Sequence, residues 1–156
     1  MAKVFDARRA IFVPATGGHP SNTEYRIAWG YEQWGTPVPV TKVQMVYDNK
    51  VAGRLSPSYP DGTLDERAVI LALDLVKKGY GTSSKKSKVV LVLKELSPDK
   101  TQDDLVEQAE DELFNMHLEI NQNADSSISP VVDVNLDKKL ELEGNVIALI
   151  FNVDIA

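Results

Sequence analysis

The stretch that most limits the possible folds is KVVLVLK, Lys88–Lys94. Five apolar residues, three of them β-branched, run without a polar break between two lysines. A run of that length is a strand, and an unbroken apolar strand is stable only when both of its faces are covered. The chain is therefore expected to build a sheet with this strand near the middle, and the other segments have to be arranged around it.

The C-terminus supplies further strands. Val132, Val134, Leu136, Leu140 and Leu142 occupy even positions, Glu143-Gly144-Asn145 turns the chain, and Ile147, Leu149, Phe151, Val153 and Ile155 occupy odd positions. Alternation on both arms predicts an antiparallel hairpin with one face against a core. Its long apolar second arm could offer an edge to another chain. Tyr25, Ile27, Trp29 and Tyr31 alternate in the same way, in a half-buried strand. Trp29 is expected in the core and Trp34 exposed. The segment from Lys42 to Leu55 reads as a hairpin turning at Asp48-Asn49, because both residue types tolerate the positive φ of a tight turn. WGTPVPV (Trp34–Val40) carries two prolines and is expected to be a rigid break, or at best an edge strand.

Two helices stand out. Thr63 and Glu66 form a capping box at the start of a helix over about 64–78, and Gly79 follows as the left-handed terminal residue. A second helix, over about 102–121, is capped by Ser97 or Thr101 and carries Leu105, Ala109, Leu113, Met116 and Ile120 as one stripe. Four strands, a helix, a strand, a helix and two strands make an α+β domain over 1–156 with a mixed, mostly antiparallel sheet.

Composition narrows the chemistry. The chain has 156 residues and no cysteine, so disulfides, thiolate-bound zinc, iron–sulfur clusters and thiol catalysis are excluded. No apolar run is long enough to span a membrane, and a cytoplasmic protein is expected. The net charge of −6 hides an asymmetry: residues 1–92 hold 13 Lys and Arg against 8 Asp and Glu (+5), and residues 93–156 hold 4 against 15 (−11). Such a split suits docking between unlike faces or self-association.

The lysine-rich KKGYGTSSKKSK (Lys77–Lys88) resembles a phosphate cradle in composition only. It leaves a helix C-terminus and enters a strand, whereas phosphate sites use helix N-termini. It is expected to be a mobile, solvated connection, with Tyr80 a stacking platform if it touches nucleic acid. Arg8, Arg9, Lys85, Lys86 and Lys88, with Arg26 and Arg54, are the candidates for contact with nucleic acid or an acidic partner. Arg8 and Arg9, adjacent on a strand, should point to opposite faces. Asp103, Asp104, Glu107, Glu110 and Asp111 form an acidic helix face that could dock a basic partner.

Catalytic patterns are weak. The S-x-x-K tetrads Ser83–Lys86 and Ser97–Lys100 carry little weight, because composition alone yields about one such tetrad and the partner motifs of serine acyl-transfer enzymes are missing. His19 lies in a loop, and His117 lies beside the apolar stripe of the second helix as a packed boundary residue. The expectation is a small non-catalytic interaction or assembly protein, with a protein partner or self-association and without cofactor, metal or membrane. The alternatives are a nucleic-acid-associated protein and an enzyme using carboxylates or a divalent metal.

Overall fold

In the computed structural model, which describes residues 4–16, 18–53, 56–124 and 132–155, the chain runs β1 (Phe5–Pro14), β2 (Thr23–Trp34), β3 (Thr36–Tyr47), β4 (Lys50–Ala52), α1 (Leu64–Lys77), β5 (Ser87–Glu95), α2 (Gln102–Ala124), β6 (Val132–Leu142) and β7 (Val146–Ile155). The strands form one mixed sheet in the order β4-β3-β2-β1-β5-β7-β6. All neighbours are antiparallel except β1 and β5. The element order and the α+β class are those expected from the sequence.

The unbroken run of β5 has the expected cause. β5 lies between β1 and β7, and a helix covers each face. Leu91 and Leu93 pack with Ala68, Val69, Ala72 and Val76 of α1, whereas Val90 packs with Leu105, Ala109 and Leu113 of α2. α1 starts as expected, with the Glu66 amide donating to Thr63 Oγ1 at 3.3 Å and Glu66 Oε1 accepting from the Gly62 amide at 3.1 Å. Gly79 follows its C-terminus with φ 106°. Of the two candidate caps of α2, Thr101 is the one used: it exchanges hydrogen bonds with Asp104 in both directions, at 3.0 and 3.1 Å. Ser97 instead closes the turn before it by accepting from the Asp99 amide.

The C-terminal hairpin departs from the one-faced expectation. Val146 to Phe151 are all buried: Ile147, Leu149 and Phe151 face α2, and Val146, Ala148 and Ile150 face α1. A bulge between Leu136 and Lys138 shifts the register of β6. One extra residue reverses which face the even positions occupy, so Leu136 packs with the α2 cluster and Leu140 and Leu142 with the α1 cluster. β7 lies between β5 and β6, so its edge is not open to another chain.

The two prolines of WGTPVPV do not break the chain; β3 runs straight through Pro37 and Pro39, paired with β2 from Thr36 to Tyr47. The two-residue turn at Asp48-Asn49 (φ 49° and 70°) makes Tyr47 and Lys50 a hydrogen-bonded pair. Odd-numbered residues of β3 therefore aim their N–H toward β4. β4 reaches only Met45 to Tyr47, so Pro37 and Pro39 remove donors from an otherwise open edge and none from the ladder. The opposite edge, β6, is guarded by its bulge and by Asp133, Asp137, Lys138, Lys139 and Glu141.

Candidate functional site

The guarded outer edges contrast with an opening inside the sheet. β1 and β5 pair only at Ile11–Val89 and Phe12–Val90. Pro14, at the end of β1, has no N–H to continue the ladder. The next residues of the chain turn away: the Ala15 amide donates to Thr23 O at 2.9 Å and the Thr16 amide to Asp65 Oδ2 at 2.9 Å. β5 continues to Glu95, held by β7 on its other side only. The result is a cleft of about 350 Å³ at the carboxyl ends of the one parallel pair, between the first turns of α1 and the middle of α2. The connection after β1 goes to β2 and the one after β5 goes to α2, on opposite sides of the opening. Ligand crevices of α/β sheets form at such a divergence.

Leu64, Ala68, Leu93, Leu113 and Met116 give the cleft an apolar wall. Asp65, Lys94, Glu95 and Glu112 supply its charge. Lys94 Nζ donates to both oxygens of Glu112, at 3.1 and 2.9 Å, tying the end of β5 to α2. Asp65, only 4% exposed, sits in the first turn of α1, where the helix dipole favours a carboxylate. Its Oδ1 accepts from Thr16 Oγ1 at 2.6 Å, and its Oδ2 lies 2.9 Å from the Thr16 amide and 3.2 Å from Tyr25 Oη. Tyr25 Oη also lies 3.0 Å from Ser58 O and 3.1 Å from His19 Nε2. Burial, then the negative charge of Asp65, pushes the Tyr25 hydroxyl well above the ordinary tyrosine range, so it stays a neutral donor.

On the α2 face of the sheet lies a second polar group, closed to solvent. Lys88 Nζ donates to Glu24 Oε1 at 3.0 Å, and His117 Nε2 lies 3.4 Å from the same ammonium. His117 Nδ1 donates to Leu113 O at 2.8 Å, which leaves Nε2 as the acceptor. Burial first, then the Lys88 charge, holds the imidazole below its ordinary pKa, so it is neutral. Glu24 and Tyr25 are consecutive on β2 and point to opposite faces, so His19 and His117 belong to separate groups.

The residues singled out for partner contact are dispersed. Lys88 is 7% exposed and engaged by Glu24, so it joins no surface patch. Arg8 and Arg9 do not point to opposite faces. A bulge between Ala7 and Arg9 leaves Arg8 without a partner on β2, and the two guanidinium groups sit over Tyr31 (5.4 Å) and Trp29 (4.3 Å), rings that stack edge-on with each other. Arg9 donates twice to Val76 O, at 3.1 and 2.8 Å, at the C-terminus of α1, while Arg8 pairs with Asp6 in solvent. Lys85 and Lys86 are exposed, but their connection is anchored: Thr82 and Ala10 exchange backbone hydrogen bonds at 3.0 and 3.2 Å, and Lys138 Nζ donates to Tyr80 Oη at 2.9 Å. Tyr80 packs on the α1 core and is no free platform. Arg54 lies outside the described residues. Asp103, Asp104, Glu107 and Asp111 are exposed on the outward face of α2, and Glu110 is half-buried there. Trp34 is 64% exposed, as expected, and Trp29 packs at the margin of the core.

Sequence reasoning passed over Asp65, Thr16, Lys94 and Glu24. For Asp65 a signal existed: it stands two residues after the Thr63 cap, in the first turn of the helix, where a carboxylate is favoured. For Lys88 the signal was phase, since it shares a strand face with Val90 and Val92. Among the described residues no helix is long and apolar enough to cross a membrane, and no three His, Cys, Asp or Glu side chains converge as a metal site. No family model matches the chain, and no curated protein or solved structure matches it.

Proposed function

We propose that this chain is a non-catalytic binding protein and that the cleft between β1 and β5 receives its ligand. The observation that carries the reading is the split of the central parallel pair, which opens one side of Val92–Glu95 beside an apolar wall. A ligand there gains both apolar burial and main-chain hydrogen bonds from β5. The volume is at the small end of ordinary ligand pockets, which start at roughly 300 Å³. Asp65 supports binding over catalysis, because the chain's own Thr16 and Tyr25 engage both of its oxygens. The guarded β3 and β6 edges argue against assembly by strand addition at the rim of the sheet. Arg9 and Lys88, engaged inside the fold, weaken the nucleic-acid alternative.

The test is a titration of the ¹⁵N-labelled protein with octan-1-ol, a neutral probe of the apolar wall. Amide shifts should cluster at Val13, Thr16, Leu93, Lys94 and Met116, and Met116→Trp, which fills the opening, should abolish them. Shifts scattered over the surface, or unchanged in Met116→Trp, would remove the cleft as the binding site.

A further inference from the structure

Resting on that reading, we infer that the ligand of the β1–β5 cleft is an organic cation: a primary ammonium group carried on an apolar body. Three carboxylates, Asp65, Glu95 and Glu112, line the opening against one ammonium, Lys94. The Lys94 charge is already matched by the bidentate contact with Glu112. Asp65 has no such match. It belongs to none of the ion pairs among the described residues, although it is 4% exposed. Its hydrogen-bond donors are an amide and two neutral hydroxyls, which solvate the charge without cancelling it.

The acceptor count leaves room for one more donor. An ionised carboxylate offers about four lone-pair sites. Thr16 N and Tyr25 Oη approach Oδ2, and Thr16 Oγ1 approaches Oδ1, so one site on Oδ1 remains. A buried carboxylate without a counter-charge is costly, and a cation brought to it in low-dielectric surroundings is held strongly.

The same geometry selects against a bare metal ion. Hard divalent cations require six or more oxygens, and no cluster of ligating side chains forms among the described residues. It selects against an anion as well, because Lys94 would have to leave Glu112 and the anion would then face three carboxylates. An ammonium group needs one strong acceptor and a few weak ones, and Leu64, Ala68, Leu93 and Met116 cover an alkyl or aryl body.

The experiment compares three probes with one tail: octylamine, octan-1-ol and sodium octanoate, each titrated into the full chain at pH 7 below its aggregation threshold. Octylamine, protonated at that pH, should bind at least about tenfold more tightly than octan-1-ol, the ratio one charge-assisted hydrogen bond supplies, and octanoate should bind weakest. Asp65→Asn should bring octylamine to the level of octan-1-ol. Should that variant fail to fold, the exposed Glu95→Gln/Glu112→Gln pair should weaken octylamine several-fold and strengthen octanoate. Octanoate binding most tightly, or all three binding alike, would overturn the cation inference and leave the cleft as a binding site. Failure of all three probes would overturn both readings.

Discussion

Lys88 Nζ reaches Glu24 Oε1 at 3.0 Å by arching over the Phe12 ring, 4.7 Å from the ring centroid. The two residues stand on β5 and β2, which are not neighbours in the sheet; β1 lies between them. The pair therefore clasps three strands beneath α2, with His117 as its cover. Glu24 Oε2, buried, has no hydrogen-bond partner among the described residues and lies 4.0 Å from His117 Nε2.

A buried pair of this kind is vulnerable to loss of one member. Lys88→Met should destabilise the fold by about 3–5 kcal/mol, because Glu24 is left buried and uncompensated. The double variant Glu24→Leu/Lys88→Met should recover most of that loss, since apolar replacement of a whole buried pair is often neutral or favourable. Urea unfolding of the wild type and the two variants measures both effects; a mild single variant would show that water reaches the pair.

His117 sets a pH dependence. Its folded pKa is held below the ordinary value near 6.5, by burial and then by Lys88. As pH falls below about 6.5 the unfolded chain takes up a proton that the folded imidazole refuses, so stability falls with pH there and this contribution is flat above it. His117→Gln should flatten the stability profile between pH 7 and 5, relative to wild type. Equal slopes in the two proteins would show that the imidazole is protonated in the fold.

Gly30 faces the bulge of β1. A Cβ at this position would collide with the Asp6 carbonyl oxygen and stand 2.8 Å from Ala7 Cα. Backbone atoms cannot swing aside as a side chain would, so Gly30→Ala should cost about 1–3 kcal/mol or more. The urea midpoint should drop with an unchanged slope.

The neighbouring arginines should behave unequally. Arg9→Met removes two charge-assisted hydrogen bonds to Val76 O and a stacked guanidinium over Trp29. A loss of about 1–3 kcal/mol is expected. Arg8→Met removes an exposed pair with Asp6 and should stay within about 0.5 kcal/mol of wild type. Equal effects in thermal unfolding would contradict the distinct roles of the two side chains.

The elements of this fold were legible wherever one period ran unbroken. KVVLVLK, the Thr63 capping box and the Asp48-Asn49 turn each follow from local chemistry that the rest of the structure does not oppose. The failures share a cause. The bulges at Arg8 and at Leu136/Lys138 add a residue and reverse the faces that alternation assigns, and nothing in the local composition announces them. For Pro37 and Pro39 the sequence left a break or an edge strand open; the edge strand is what forms, and the choice depends on which edge of β3 they face, a property of the whole sheet. The cleft was less visible still. Asp65, Thr16 and Lys94 come from three separate segments, and they meet only because β1 and β5 part company after two paired residues.

That parting is the central claim, and amide hydrogen exchange along β5 tests it most directly. In an antiparallel pair alternate amides point toward the partner, so β7 protects only every second amide of Leu91–Glu95. The split predicts fast exchange at Leu93 and Glu95, slow exchange at Val89, Val90 and Leu91, and slowing of the fast pair when octylamine is bound. Uniformly slow exchange from Val89 to Glu95 in the free protein would show that β1 and β5 stay joined to their ends, and the cleft would be lost with the function proposed for it.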